Sequence, residues 1–477
     1  MLDTGIRQFR MAMGMVWGRR MDPANIERLV ADALATLAEF GEPGEDVGML
    51  VDGPLTDPAA RQQAVTSNLR RTAKRLSVVS PFYARLFAAT GTDVGRLDLD
   101  RLGTIPVTLK RDLVERGRDF QATDVPPYLA TRTTGTTGRP AEIWMSRYET
   151  RLWPAIGALA AVLRDDIRPD DVLQVNISSR ATAAVTLDVA TCGLIGAGCR
   201  LLGVIPPDEA LDGLGAGGAT LLSATPSYLG QLVVAARRRG MGPADFRLRR
   251  IDVGGEVLSP SLAAAARATL GVPEVNDHFG MTEILPVTGR SCEQGHLHHD
   301  INTGHVEYLD PDTGVPAAPG ALATVVVTPY FPYRDCMPVF RYDTRDLVRR
   351  LPDEPLTCSV SGLPATTKVL GKADQAVRMA SGRVVTPREL AEAIEALPSC
   401  PWPARFQAVV EGGRLRLILP TAAVAGVGVA ATAAHLADRG LDADLELVSD
   451  DYATRLRPLR CDLRETTFAA QPVPSGV

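Results

Sequence analysis

Between residues 170 and 290, short apolar runs alternate with alanine-rich stretches of helical period. The segments are, in order, 172–177, 186–196, 201–205, 220–224, a helix over 228–239, 248–253 and a helix over 259–270. This alternation predicts strands joined by crossover helices, and hence a wound, largely parallel sheet of the α/β class. Because ligands bind outside the carboxyl ends of the strands in such sheets, we expect functional residues in the loops that follow them.

The segments on either side of this region carry helical and hairpin patterns. They predict helices over 24–40, 59–76 and 430–439, a helix that begins at Ser80-Pro81, a hairpin over 406–419 and a strand over 443–448. Pro81 suits a first helical turn, where its missing N–H costs nothing, and Gly412-Gly413 suits the turn of the hairpin. The chain therefore divides into a large α/β unit and a small α+β unit.

Composition adds limits on class and location. With 477 residues, 45% of them hydrophobic, the chain can bury a large core in more than one domain. A net charge of -5 argues against a nucleic-acid partner. Seven irregularly spaced cysteines, no export signal in the first twenty residues and no run of about 20 apolar residues favour a soluble cytoplasmic protein without a membrane span.

One stretch, 133–140, has the composition of a loop that binds phosphate. It reads Thr-Thr-Gly-Thr-Thr-Gly-Arg-Pro, so two glycines allow close approach of the backbone and four hydroxyls add donors. The spacing is not that of a Walker loop. Taken alone, the stretch could equally be a surface turn rich in threonine and glycine.

Further motifs follow in a recognisable order. They are Gly254-Gly255-Glu256, His278-Phe279-Gly280-Met281-Thr282-Glu283, Arg341-Tyr342-Asp343-Thr344-Arg345-Asp346-Leu347 and Gly371-Lys372-Ala373-Asp374. Together with 133–140 they resemble the motifs of adenylate-forming enzymes, which include acyl-CoA synthetases, peptide-synthetase adenylation domains and luciferase. Ser80-Pro81-Phe82-Tyr83 and the segment 102–113 are similar to the phenylacetate-CoA ligase-like branch.

The resemblance implies a role for each motif. Thr133, Thr134, Gly135, Thr136, Thr137, Gly138 and Arg139 would hold the phosphates, Gly254, Gly255 and Glu256 would lie along the adenine, and Phe279-Gly280 would stack on it. Thr282 would meet the α-phosphate and Glu283 would bind Mg²⁺, which takes one or two carboxylates beside phosphate oxygens and water. Asp346 would accept both ribose hydroxyls, with Lys372 nearby.

The resemblance also implies two domains. A large N-terminal domain of wound sheets, residues 1–371, would bind ATP, and a small mobile α+β domain, residues 372–477, would rotate about a hinge at Asp374.

Departures from the family pattern are equally informative. The family places a lysine late in its small domain, but no lysine follows Lys372 here, and Arg455, Arg457 and Arg460 occupy that neighbourhood. Arginine presents a planar fork where lysine presents a point charge, so the exchange is not conservative. The segment expected to line the substrate pocket contains Asn176, Ser178 and Arg180, which predicts a polar pocket for a small or anionic acid.

A second group of residues suggests a metal. Cys292, His296, His298, His299, Cys336 and Cys358 lie between the Glu283 motif and the hinge. Thiolate and imidazole are the ligands of structural zinc, and several relatives in this branch carry a Cys/His zinc site here, so we expect Cys292, His298, Cys336 and Cys358 to bind Zn²⁺. The alternative is buried cysteines with surface histidines.

Three functions are consistent with these motifs. The first is an ATP-dependent ligase that forms an acyl-AMP and passes the acyl group to CoA or another thiol, with Mg²⁺ as cofactor. The second is a diazotase of natural-product biosynthesis that activates nitrite for attack by an aryl amine, and the third is a nucleotide-binding pseudoenzyme. The sequence leaves open the acid, the acceptor and whether the chain forms a homodimer.

Overall fold

The computed structural model describes residues 20–41, 58–133, 140–178, 182–352, 356–360, 362–453 and 460–462. The helices in these ranges are α1 (Pro23–Phe40), α2 (Pro58–Val79), α3 (Pro81–Ala89), α4 (Leu99–Leu102), α5 (Lys110–Phe120), α6 (Arg147–Leu163), α7 (Thr182–Ile195), α8 (Pro207–Leu214), α9 (Pro226–Arg238), α10 (Pro260–Leu270), α11 (Pro387–Glu395), α12 (Val429–Ala437) and α13 (Asp450–Ala453). In the same ranges, no helix is long and apolar enough to cross a bilayer.

The strands are β1 (Leu129–Arg132), β2 (Glu142–Met145), β3 (Val172–Asn176), β4 (Gly198–Leu201), β5 (Leu221–Ala224), β6 (Arg250–Gly254), β7 (Glu274–Gly280), β8 (Thr288–Ser291), β9 (His296–His299), β10 (Gly304–Leu309), β11 (Leu322–Pro329), β12 (Tyr342–Arg349), β13 (Ala365–Thr367), β14 (Gly371–Lys372), β15 (Val377–Arg378), β16 (Val384–Val385), β17 (Gln407–Glu411), β18 (Arg414–Pro420), β19 (Ala443–Val448) and β20 (Arg460–Asp462).

An eight-stranded sheet in the order β13-β9-β8-β7-β6-β5-β3-β4 organises the large unit. Strands β4, β3, β5, β6 and β7 are parallel, which confirms the predicted α/β class. On one face, Leu222, Ala224, Ile251 and Val253 pack against α8, α9 and α10. Each large side chain buried there contributes roughly 1.5–3 kcal/mol of hydrophobic stabilisation.

Two predicted segments of this sheet differ from the structure. Segment 186–196 is the body of helix α7, which is apolar on most sides because it lies between the sheet and α6. The strand predicted over 201–205 is wrong, because β4 ends at Leu201 and Gly203 turns the chain with φ +69°. Glycine tolerates this left-handed conformation without a Cβ clash.

A second, antiparallel sheet in the order β10-β11-β12-β14 carries the Arg341–Leu347 motif. Arg341 and Arg345 have positive φ values of 47° and 59°, and the pairing of β11 with β12 is irregular between Thr324 and Val326. Such irregularities re-aim side chains within a strand. Here they lie on both sides of Asp343 and precede Asp346.

Several helices begin with a local Ser/Thr-Pro signal. The side chains of Ser80, Thr225, Ser259 and Thr386 cap α3, α9, α10 and α11, and each is followed by proline. A side-chain cap of this kind contributes about 1 kcal/mol. The predicted helix start at Ser80-Pro81 is confirmed.

The small unit has its own sheet, ordered β19-β18-β17-β20, and its own buried cluster around Leu390, Phe406 and Leu417. The predicted hairpin, the strand over 443–448 and the helix near 430–439 are confirmed, the last as α12. Arg388 of α11 joins the two units, since it donates to the carbonyl of Leu258 at 2.8 Å and pairs with Asp277 at 3.2 Å.

Candidate active site

The threonine- and glycine-rich loop lies at the tip of the β1–β2 hairpin. Thr134, Gly135, Thr136, Thr137, Gly138 and Arg139 are outside the described residues. Thr133 is 8% exposed; its N–H donates to the Ala141 carbonyl at 3.0 Å, and its hydroxyl accepts from the Ala141 N–H at 3.1 Å. The Thr133 hydroxyl therefore accepts at the base of the loop and keeps its own O–H as a donor, and its phosphate-binding role stays a prediction.

The glycine turn after β6 has the expected position at a carboxyl strand end. Gly255 has φ +80°, and a Cβ on Gly254 would lie 3.0 Å from the His278 carbonyl oxygen, so both positions favour glycine. Glu256 accepts from the backbone N–H of Ser227 at 2.8 Å, at the N-terminal turn of α9. The carboxylate thus neutralises an unpaired donor at the positive end of that helix.

The motif after β7 divides into buried and accessible parts. Phe279 is only 7% exposed and its ring makes an edge contact with His299 at 5.2 Å, so this placement does not support the adenine stacking predicted for it. Gly280 and Thr282 remain accessible, and the Thr282 carbonyl accepts from Arg334 at 3.3 Å. Glu283 is 2% exposed and accepts from the Tyr342 hydroxyl at 3.4 Å.

Lys110, at the start of α5, is a site residue that sequence reasoning missed. Its Nζ lies 3.9 Å from Glu283 Oε1. Burial lowers the pKa of Lys110, Glu283 opposes that effect, and the nearby charge of Lys372 adds to it. The signal was present in the sequence, since Lys110 is one of only four lysines and lies in the 102–113 segment that resembles this branch.

Asp346 and Lys372 form the second charged pair of the site. Lys372 Nζ donates to Asp346 Oδ2 at 2.8 Å and to the Thr344 carbonyl at 2.9 Å, and lies 3.8 Å from Met281 Sδ. The strand pairing of β12 with β14 fixes this arrangement, because Asp346 and Lys372 are opposite each other in the register. The motifs around Glu283, Asp346 and Lys372 therefore converge in space.

The predicted substrate pocket is wrong at Asn176. This residue is fully buried; its amide donates to the Gly203 carbonyl at 2.8 Å and accepts from Gln174 at 2.8 Å. Alternation along β3 turns Asn176 toward the α8 face of the sheet, so its polar atoms are already satisfied. Ser178 is half-buried after β3, and Arg180 lies outside the described residues.

At the predicted hinge, Asp374 accepts from Arg345 at 2.9 Å. Arg455 and Arg457 lie outside the described residues, and only the backbone strand of Arg460 is described. Two lysines therefore lie in the described part of the site. Lys110 belongs to the large unit, and Lys372 lies at its boundary with the small unit.

A compact Cys/His cluster lies on the far edge of the large sheet. One ligand atom from each of Cys292, His296, His298 and Cys358 lies within 4.8 Å of the others. His298 Nδ1–H donates to the Leu363 carbonyl at 3.3 Å, which leaves Nε2, 3.3 Å from Cys358 Sγ, free to coordinate. The buried Nδ1 of His296 has no hydrogen-bond partner, as expected of a metal ligand without its metal.

The structure corrects the predicted ligand set at one position. Cys336 is buried in a separate apolar cluster with Val79, Ala122 and Val125, and its N–H donates to Glu149. His296 takes the fourth place, because it stands two residues before His298 on β9 and close to Cys292 in the β8–β9 hairpin.

Comparison with known proteins agrees with this geometry. The AMP-binding enzyme family matches residues 121–327. The chain is 28% identical over 343 residues to a phenylacetate-coenzyme A ligase of Thermus thermophilus, covering 67% of this chain and 71% of the relative. It is 27% identical over 358 residues to the enzyme of that name from Escherichia coli, covering 70% and 76% of the two chains.

The fold is that of a solved CoA ligase. A crystal structure of 2-hydroxyisobutyryl-CoA ligase in the postadenylation state superimposes with a TM-score of 0.70 at 20% identity, covering 87% of this chain and 90% of the other. These relatives give no support to the diazotase or pseudoenzyme alternatives. Residues 121–327 thus match the AMP-binding enzyme family, and the chain is a homologue of the phenylacetate-coenzyme A ligases with the fold of a solved CoA ligase.

Proposed function

We propose that this chain is an AMP-forming acid–CoA ligase: it activates a carboxylic acid with ATP and passes the acyl group to the thiol of CoA. The observation that carries this proposal is the convergence of Glu283, Asp346, Lys110 and Lys372 at the carboxyl end of β7 and beside β12. Two ammonium groups can bind the anionic groups of a nucleoside triphosphate and of an acid, and two carboxylates can accept hydroxyls or bind a metal ion.

In the first step, a carboxylate oxygen attacks the α-phosphorus of ATP and the bond to the β-phosphate oxygen breaks, so that pyrophosphate leaves and an acyl-AMP remains. Both reactants are anionic, so cations at the reacting atoms lower the barrier. Lys110 and Lys372 supply two such charges. The Asp346 carboxylate is placed to accept the ribose hydroxyls while Lys372 holds it in position.

Glu283 is suited to bind Mg²⁺, because it is a carboxylate at the end of the His278–Glu283 motif. Its nearest cation is Lys110. A bound Mg²⁺ would neutralise phosphate charge. In the second step, the thiol sulfur of CoA attacks the acyl carbon, the bond to the phosphate oxygen breaks, and AMP leaves.

We further propose that the domain boundary lies at residues 371–372. The buried cluster of the small unit begins at Val377, and Asp374 with its Arg345 pair stands between the two cores.

The activity is tested by supplying a panel of carboxylic acids with ATP and CoA. We expect acid-dependent release of AMP and pyrophosphate, formation of an acyl-CoA, and loss of both with Glu283→Gln. AMP release that does not depend on any acid, or a Glu283→Gln enzyme of equal activity, would contradict the proposal.

We also propose that Cys292, His296, His298 and Cys358 hold a structural zinc ion, because two thiols and two imidazoles converge there. Protein prepared without chelator should contain one zinc per chain by elemental analysis. Cys358→Ser should lose most of it and melt at a lower temperature, whereas Cys199→Ser, an exposed cysteine elsewhere, should keep it. Protein without zinc, or equal zinc in both variants, would exclude the site.

A further inference from the structure

The inner strands of the large sheet carry polar side chains on one face. Ser223 of β5 and Asp252 of β6 are register partners, and His278 of β7 reaches Asp252 with Nε2 at 2.8 Å. Asp188 of α7 lies over the same face, where it accepts from the Ser223 hydroxyl at 3.2 Å. Inner parallel strands are normally apolar on both faces. Here β5 and β6 are apolar on the side that packs against α9 and α10, so their polar side needs an explanation.

These side chains are partly exposed to solvent. The side chains of Asp252 and His278 are 30% and 39% exposed, although β5 and β8 flank their strands on either side. Gly254, opposite His278 in the register, adds no side chain to this face. Solvent therefore reaches the middle of the sheet on this face.

This polar face begins next to the proposed nucleotide site. Asp252 precedes Gly254 by two residues and His278 precedes Thr282 by four. At a rise of about 3.3 Å per residue, Asp252 lies about 7 Å from the glycine turn along its strand. An acid whose carboxylate reacts near Thr282 can extend its other end along this face.

All but one of the charged side chains on this face are compensated. Asp252 is paired with His278 and with Arg250 at 2.9 Å, and Arg250 also pairs with Asp166. Burial opposes ionisation of Asp252, but His278 and Arg250 outweigh it and hold its pKa below the usual range. Burial likewise lowers the pKa of His278, and Asp252 outweighs it, so the net shift is upward.

Asp188 is the exception. Its hydrogen-bond partner is the neutral hydroxyl of Ser223, and among the described residues the nearby charges of His278 and Asp252 act on it in opposite directions. Burial raises the pKa of Asp188 to about 6, so the carboxyl is still largely ionised at neutral pH. A half-buried carboxylate with one hydroxyl donor is incompletely compensated, and a ligand that brings a donor or a positive charge would complete it.

We propose that Asp188 and Ser223 determine substrate specificity by accepting the amino group of a carboxylic acid that carries a primary amine at the end remote from its carboxylate. The inference rests on the proposed acid-activating function. It replaces Asn176, which points to the opposite face, as the polar determinant of the pocket.

Matched acid pairs test this inference. Acid-dependent exchange of labelled pyrophosphate into ATP is measured for 6-aminohexanoate against hexanoate and for 4-(aminomethyl)benzoate against 4-methylbenzoate. We expect kcat/KM to be at least tenfold higher for the amine-bearing member of one or both pairs. In Asp188→Asn this ratio should fall at least tenfold, because the amine loses its charged acceptor, while Asp100→Asn, an exposed aspartate of α4, keeps the wild-type ratio.

Melting temperature monitors the fold of each variant, and Asp188→Ser, also neutral but smaller, provides a second measurement of the ratio. Exchange with the acids that lack an amine, without preference for their partners, overturns the specificity and leaves acid activation standing. An unchanged ratio in both Asp188 variants also overturns it. Exchange with no carboxylic acid of any kind overturns the acid-activating function, and the specificity with it.

Discussion

At the scale of single residues, charge placement at the site depends on contacts between distant segments. Lys110 lies 173 residues before its carboxylate partner Glu283, and the 3.9 Å between them exists only in the folded chain. Nothing in the local sequence assigns a lysine at the start of α5 to a site after β7. Burial lowers the pKa of Lys110, and the charge of Glu283 offsets only part of that effect.

We expect Lys110→Met to slow AMP formation about 10- to 100-fold, because one of two cations facing the reacting phosphate is removed while the hydrophobic stem is kept. Lys110→Arg should recover only part of the rate, since a planar fork replaces a point donor. Single-turnover AMP formation is the measurement. Lys74→Met removes an exposed lysine of α2 and should have no effect; a Lys110→Met enzyme at the control's rate would remove Lys110 from the site.

At the scale of secondary-structure elements, local sequence signals predicted helices, turns and strands more reliably than they predicted the charge pairs of the site. The helix start at Ser80-Pro81, the glycine-glycine hairpin turn and the strand over 443–448 are all fixed by residues next to one another, and the structure confirms them. Asn176 shows where such reasoning stops. The sequence placed it correctly at the end of β3, but which face it points to depends on how the sheet is covered, and that is a tertiary property.

Cys336 illustrates the same limit for the metal cluster. Residue type and rough position favoured it as a ligand, yet the β8–β9 hairpin brings His296 to the cluster and the fold carries Cys336 to another apolar core. Ligand type was therefore predictable from the sequence, while the ligand set required the fold.

The glycine turn after β6 gives a test at this scale. Gly255→Ala places a Cβ in a left-handed conformation, at a cost of about 1–2 kcal/mol, although no atom lies within 4 Å of that Cβ. We expect a lower melting temperature and a higher KM for ATP, because the strained turn would shift away from the nucleotide. Gly242→Ala is the matched control, since its Cβ also meets nothing within 4 Å and its φ is -136°. Equal melting temperatures in the two variants would show that Gly255 does not need its conformation.

At the scale of the whole molecule, polar contacts around Arg388 and the apolar packing of Trp402 on the large unit hold the two units in one arrangement. This residue is 6% exposed and belongs to the small unit, but it donates to the Leu258 carbonyl and pairs with Asp277, both in the large unit. Ser259 and Glu395 add a short hydrogen bond between α10 and α11. An interface of this kind can be exchanged for another pose, since polar contacts are readily replaced by water.

Arg388→Gln should loosen this pose selectively. Removing one partner of a buried ion pair costs roughly 3–5 kcal/mol, and here that cost is avoided if the units separate and Asp277 meets water. We expect faster limited proteolysis between residues 368 and 376, and a change in the balance between acyl-AMP formation and acyl transfer to CoA when each is measured in a single turnover. The half-reaction that uses the described pose should slow, and the other should not. Arg414→Gln, which removes an exposed pair in the same unit, should change neither measurement. If Arg388→Gln leaves proteolysis unchanged and slows both half-reactions equally, Arg388 stabilises the fold without selecting a pose.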